Sequence, residues 1–118
     1  TSYGCNGDWT EHAYDYVKSA GGLSQEKDYP YTAPPTGRCN ANTSKFVVGV
    51  TKYTTIKGEA NMANYVTSTG PLSICLDASS WSTYTGGIMS TCGRQVNHCV
   101  QAVGVDTTSY WKVKLEPS

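Results

Sequence analysis

Between Trp9 and Ala20 the apolar positions Trp9, Ala13, Tyr16, Val17 and Ala20 recur at helical spacing and form one face of an amphipathic helix. Asp8 stands at the N-cap position with Glu11 three residues on, a capping-box pattern, and Gly21-Gly22 supplies a left-handed stop. Residues 23–44 carry no such period. Tyr29-Pro30-Tyr31, Pro34-Pro35 and Gly37 read there as a long connection. The pattern then changes to period two, and Phe46–Ile56, rich in β-branched residues, predicts a strand. Glu59–Ser68 predicts a short helix through Ala60, Ala63 or Asn64, Tyr65 and Val66, stopped by Gly70-Pro71. Leu72–Ala78 sets Leu72, Ile74 and Leu76 against Ser73, Cys75 and Asp77, a half-buried strand. Ser80–Thr85 reads as a turn or short helix before Gly86-Gly87. His98–Asp106 and Tyr110–Leu115 are two more strands around the turn Thr107-Thr108-Ser109. One helix, a crossover, then mostly strand with an inserted helix is an α+β arrangement, without internal repeat or low-complexity tract.

At 118 residues the chain is one ordinary domain or a piece of a larger one. A β-rich piece of this kind needs a closed sheet or a partner, and the first helix has nothing nearby to pack on. The chain therefore reads as cut from something larger, and in the isolated chain residues 1–21 are expected to be poorly ordered because the helix lacks packing partners. Nine Lys+Arg balance nine Asp+Glu, and without a basic run there is no electrostatic footprint for nucleic acid or acidic lipid. The longest apolar stretches are four or five residues, too short for a membrane span. Any signal peptide is expected to have been removed or to lie outside these residues. Charged residues make up 15%, well below the usual quarter, and Ser, Thr, Asn and Gly carry the polar load. That profile suits an extracellular or lumenal protein.

Five cysteines, at 5, 39, 75, 92 and 99, leave an odd thiol or a bridge to another chain. The closest two are seven residues apart, which does not suit a zinc site, so a disulfide framework is the better reading. Asn42-Thr43-Ser44 is an N-glycosylation acceptor that agrees with it. His98 opens a strand, from which a histidine can reach into a cleft as a general base; the alternative is a partly buried His bonded to backbone. His12 lies on the polar side of the first helix and reads as solvated. Cys5 precedes a helix N-terminus, which favours a thiolate, and is either a nucleophile or a structural half-cystine. Asp8 and Asp77 lack a paired acid, so a two-carboxylate glycosidase has no support. Gly21-Gly22 and Gly86-Gly87 are turn glycines, not phosphate loops.

Taken together, several short motifs are more specific. Tyr3-Gly4-Cys5-Asn6-Gly7 before an amphipathic helix resembles the Gly-Cys-Asn-Gly-Gly segment of papain-family, cathepsin-like cysteine proteases. So do Gly21-Gly22-Leu23 with Tyr29-Pro30-Tyr31, Gly70-Pro71-Leu72-Ser73, Tyr84-Thr85-Gly86-Gly87-Ile88 and Asn97-His98. Val100-Gln101-Ala102-Val103-Gly104 and Tyr110-Trp111-Lys112-Val113-Lys114 follow in the family's order, so the resemblance runs over residues 2–114. It implies a papain-like α+β fold: residues 1–21 as the tail of a left, helical domain, 22–43 as a crossover, and 44–118 as most of a right, β-barrel-like domain. It also implies a cleft for an extended peptide, with a Cys thiolate on one side and a proton-shuttling His on the other. His98 looks like that His.

The chain departs from the family pattern at three places. The family's nucleophilic Cys precedes its His by about 130–150 residues, whereas 97 residues precede His98. The nucleophile and the oxyanion-hole Gln are thus expected before Thr1. Leu115-Glu116-Pro117-Ser118 stands where Asn-Ser-Trp-Gly is expected, and Leu115 cannot orient an imidazole. Asp8 replaces the second Gly of Gly-Cys-Asn-Gly-Gly, adding bulk and negative charge. Cys5, Cys39 and Cys92 match half-cystines whose partners lie outside these residues. Cys75 and Cys99 match neighbouring-strand positions lining a substrate pocket, where the resemblance implies a disulfide. Trp9, Thr10, Val96 and Cys99 would wall that pocket, with Asp8 at its rim.

What the resemblance implies is a heavy-type, C-terminal chain of a cysteine endopeptidase, lysosomal, vacuolar or secreted. His98 would be its base and acid, and Asp8, Trp9, Thr10, Cys75, Val96 and Cys99 its substrate-facing set. It needs no cofactor or metal, takes a peptide or protein substrate, and has an N-terminal partner chain, disulfide-linked through Cys5 and Cys39 or tightly packed. The rival is a non-catalytic papain-like binding or structural module, favoured by the absent Cys and by Leu115. A third reading is a fragment of a longer enzyme, which a Cys-Gly-x-Cys-Trp run in the flanking transcript would reveal.

Overall fold

The helical period of the first twenty residues is realised as α1, Thr10–Ala20. Gly21 closes it in the left-handed conformation (φ 93°), its N–H donating to Val17 O at 3.1 Å. The start differs from the capping-box expectation. The N-cap residue is Trp9, whose side chain makes no capping bond, and Asp8 lies one position outside. Of the apolar face, Val17 is buried and Ala20 half-buried, while Trp9, Ala13 and Tyr16 stay exposed.

The computed structural model describes residues 3–32, 38–106 and 108–115. Pro34-Pro35 and Gly37 of the long connection, Thr107, the tail from Glu116 and the Cys5 side chain lie outside the described residues. The chain divides into two compact units, one within Thr1–Thr55 and one within Ile56–Pro117.

In the first unit, a 3₁₀ turn at Gly4–Asn6 precedes α1. β1 (Leu23–Ser24) then pairs antiparallel with β2 (Phe46–Val48), Leu23 opposite Val48. The predicted strand Phe46–Ile56 is therefore shortened. β1 offers only two residues before Gln25 O turns the chain by accepting from the Asp28 and Tyr29 amides, and beyond Val48 the ladder has no partner among the described residues. Tyr14 and Tyr53 rings pack at 5.8 Å between centroids.

In the second unit, α2 spans Glu59–Ser68, the predicted helix, with Gly58 as N-cap. It packs against β4 (His98–Asp106) and β3 (Leu72–Leu76). Sheet order is β3-β4-β5, all antiparallel, with β5 at Tyr110–Lys114. Among the described residues this sheet is open and three-stranded, with no closed barrel. Cross-strand partners share a face, so Leu72, Ile74 and Leu76 lie beside Ala102, Val100 and His98 on one side. Val100 and Ala102 are the buried residues of that face. β3 ends at Leu76 rather than Ala78 because Asp77 leaves the ladder to bond the following turn. Among the described residues, no helix is long and apolar enough to cross a membrane.

Candidate functional site

His98 is the first residue of β4 and the last rung of its ladder with β3, opposite Leu76. Its side chain is exposed, not the partly buried His that position alone allows. The Trp81 ring, in a short 3₁₀ turn at Trp81–Thr83, meets the imidazole edge-on, 6.2 Å between centroids at 86°. The residue before it is doubly tied. Asn97 N–H donates to Leu76 O at 3.0 Å, and Asn97 Oδ1 accepts from the Ala78 amide at 3.0 Å. One register step inward, Cys75 and Cys99 stand opposite one another and form a disulfide, as the resemblance implied. Val96, 51% exposed, lies in the turn leading to Asn97. Thus Cys75, Val96, His98 and Cys99 gather at one end of the β3–β4 pair.

Asp77 holds the same turn from the other strand. Its Oδ1 accepts from the Ser79 amide at 2.9 Å and from the Ser79 hydroxyl, and Oδ2 accepts from the Gln95 amide at 2.9 Å. These bonds favour the anion, so the carboxyl is drawn down to about 2, with the Ser79 hydroxyl contributing most. Neither Asp77 nor Trp81 was read as functional from the sequence. The signal available was local: Asp77-Ala78-Ser79 after an alternating strand is an Asx-turn sequence.

In the first unit, Asp8, Trp9 and Thr10 lie together at the start of α1. Asp8 Oδ1 accepts from the Trp9 amide at 2.7 Å and meets His12 Nδ1 at 2.5 Å, one helical turn on. His12 is therefore partnered rather than merely solvated. Trp9 is 51% exposed. Further along, the Tyr16 hydroxyl lies 3.8 Å from the exposed, unbridged Cys39 Sγ. The Ala41 amide, then the Tyr16 hydroxyl, lowers the Cys39 thiol pKa, and the same contact raises that of Tyr16.

Arranged this way, an exposed imidazole on a fixed backbone can exchange a proton with a group brought to it. Comparison with known proteins gives that chemistry a context. The profile described as papain family cysteine protease matches residues 1–115. Cysteine proteinase 1 of Dictyostelium discoideum is 37% identical over 122 residues, covering 94% of this chain and 36% of that protein. Macrodontain-1 of Ananas macrodontes is 37% identical over 119 residues, covering 96% and 54%. Among solved structures, the bromelain protease of Ananas comosus in complex with the E64 inhibitor superposes with a TM-score of 0.80 at 30% identity, over 95% of this chain and 55% of that one. Digestive procathepsin L2 of the Tenebrio molitor larval midgut gives 0.84 at 30% identity, over 97% and 39%. The chain thus spans between about a third and about half of the length of these curated relatives.

Proposed function

Since this chain belongs to the papain family of cysteine proteases, we propose that it is the His-bearing part of a cysteine endopeptidase whose nucleophile lies on a segment outside these residues. His98 takes the proton of that cysteine thiol, and the thiolate attacks the peptide carbonyl. The imidazolium then protonates the leaving amine, and the imidazole activates water to release the acyl group. The observation that carries this reading is the exposed imidazole of His98 on a backbone tied at Asn97 to Leu76 and Ala78. The substrate-facing set of this reading is Asp8, Trp9 and Thr10 in the first unit and Cys75, Val96 and Cys99 in the second.

Cys5 and Cys39 would join the His-bearing chain to its N-terminal partner, and the lowered thiol pKa of Cys39 suits it to disulfide exchange. That assembly belongs in an oxidising lumen or outside the cell. Asn42, whose Oδ1 accepts from the Ser44 amide at 3.1 Å in an exposed turn, would carry a glycan there.

The test is hydrolysis of a fluorogenic peptide amide by the full-length protein, with and without a thiol-alkylating inhibitor. His98→Ala is expected to lower kcat by about 10³-fold or more, and an undiminished rate refutes the role. The second reading is a non-catalytic papain-like module, and Leu115 favours it because its side chain can neither accept from nor donate to an imidazole. Absence of thiol-dependent hydrolysis in the full-length protein would establish that reading instead.

A further inference from the structure

His98 is held at the last rung of a ladder. The β3–β4 pairing stops at Leu76 and His98, and a long loop separates the two strands. A terminal ladder residue next to such a loop opens more easily than the sheet interior. The Cys75–Cys99 bridge restrains the pair one step further in, not the loop side. On the loop side Asn97 is tied to Leu76 and Ala78, and a carboxylate adds a restraint that reaches further into the loop. Asp77 Oδ2 accepts from the amide of Gln95, 18 residues along the chain, while Oδ1 accepts from both donors of Ser79. Asn97 Nδ2 reaches the same carboxylate at 3.4 Å and Ser79 Oγ at 3.1 Å. A β-carbon at Gly93 would run into that carboxylate, so the loop is shaped around it. An Asx turn at 77–79 needs only the Ser79 bonds. The bonds from Gln95 and Asn97 do nothing for that turn; they constrain the residues that enter β4.

We propose that Asp77 is a positioning residue for His98: its carboxylate clamps residues 93–97 onto the end of β3 and so fixes where the imidazole stands. The proposal rests on His98 being the proton-shuttling residue.

Full-length protein carrying the nucleophilic segment is compared as wild type, Asp77→Ala, Asp77→Asn, Ser79→Ala and His98→Ala. Each is assayed on the fluorogenic peptide amide below its unfolding midpoint, and the His98 Cε1–H signal is followed by NMR. Asp77→Ala should lower kcat about 10–100-fold, the scale of an ångström-sized misplacement, and should broaden or shift the His98 signal. KM should stay within about threefold, since the loss falls on the chemical step. Asp77→Asn keeps one acceptor oxygen and should lose less. Ser79→Ala removes the hydroxyl alone and should move in the same direction, so the test survives an Asp77→Ala protein that does not fold. A kcat within about twofold of wild type in Asp77→Asn and Ser79→Ala, with the His98 signal unmoved, overturns the proposal. So does a rise in KM at unchanged kcat. Full activity in His98→Ala refutes the underlying reading instead, and the NMR signal then decides the clamp alone: unmoved, it overturns it; shifted, it supports it.

Discussion

Cys75 and Cys99 face each other across β3 and β4 with their Cα atoms 4.0 Å apart, and a disulfide joins them. That spacing belongs to a non-hydrogen-bonded antiparallel pair, the kind that brings side chains closest. Both sulfurs should therefore resist iodoacetamide in the folded, unreduced 118-residue chain, in which Cys39 and Cys92 are unbridged and react. With a sequence separation of 24, loop-closure entropy makes removal of the bridge by Cys75→Ser with Cys99→Ser cost about 3 kcal/mol. Chemical denaturation under non-reducing conditions measures it. Labelling of Cys75 or Cys99 without reductant would contradict the pairing.

The Asp77 carboxyl has a folded-state pKa of about 2 against an ordinary 3.8. The folded state thus binds the proton more weakly than the unfolded one, so the clamp stabilises the fold above the unfolded value and loses its contribution as pH falls through the folded one. The Gln95 and Ser79 amide resonances should move between pH 4 and about 2, and Asp77→Asn should abolish that step. The Asp106 carboxyl is also held below its ordinary value, by the Thr108 hydroxyl and then the Thr108 amide, so the Thr108 amide should titrate in the acid range independently. A Gln95 amide that titrates only above the ordinary carboxylate range would show that another group holds the loop.

Cys39 owes part of its lowered thiol pKa to the Tyr16 hydroxyl. More thiolate at a given pH means faster alkylation, because the thiolate is the nucleophile. Tyr16→Phe should raise the Cys39 pKa and slow its reaction with iodoacetamide near neutral pH, with the rate recovering as pH rises. Mass-resolved labelling of the 118-residue chain reads this directly, with Cys92 as internal reference. An unchanged Cys39 rate would mean that the Ala41 amide and the Tyr29 hydroxyl govern the thiol without Tyr16.

Period-two alternation made the face of β3 readable: Leu72, Ile74 and Leu76 do share one side, opposite Ala102, Val100 and His98. The bounds of α2 and β4 were equally legible, since Gly58, Gly70 and the Asn97 turn mark them. Phe46–Ile56 misled because alternation reports strand propensity, whereas a ladder needs a partner, and β1 supplies only two residues. Asp8 misled for a smaller reason, the helix beginning one residue later than its capping pattern places it. Composition and position gave His98 no decided role; the motif resemblance did. Asp77 was out of reach because its defining partner, Gln95, is brought to it by a loop whose path no local pattern encodes.

Gly22 tests how closely α1's exit packs on β2. A β-carbon there would sit 2.8 Å from Val48 O and 2.9 Å from Phe46 Cβ, and the first of these is backbone that cannot rotate away. Gly21 offers a contrast within one residue: its φ of 93° strains any side chain, but nothing lies within 4 Å of its β-carbon position. Gly21→Ala should cost about 1–2 kcal/mol, the left-handed penalty alone. Gly22→Ala, at a φ of 157° that also strains a side chain, should cost about 1–3 kcal/mol more from overpacking, with loss of the Leu23–Val48 pairing. Thermal unfolding gives the two costs, and the Val48 amide-exchange rate separates them, rising in Gly22→Ala and not in Gly21→Ala. Equal protection of Val48 in both variants would mean that β2 gives way without breaking its ladder, and that the close approach at Gly22 is not what fixes β1 against β2.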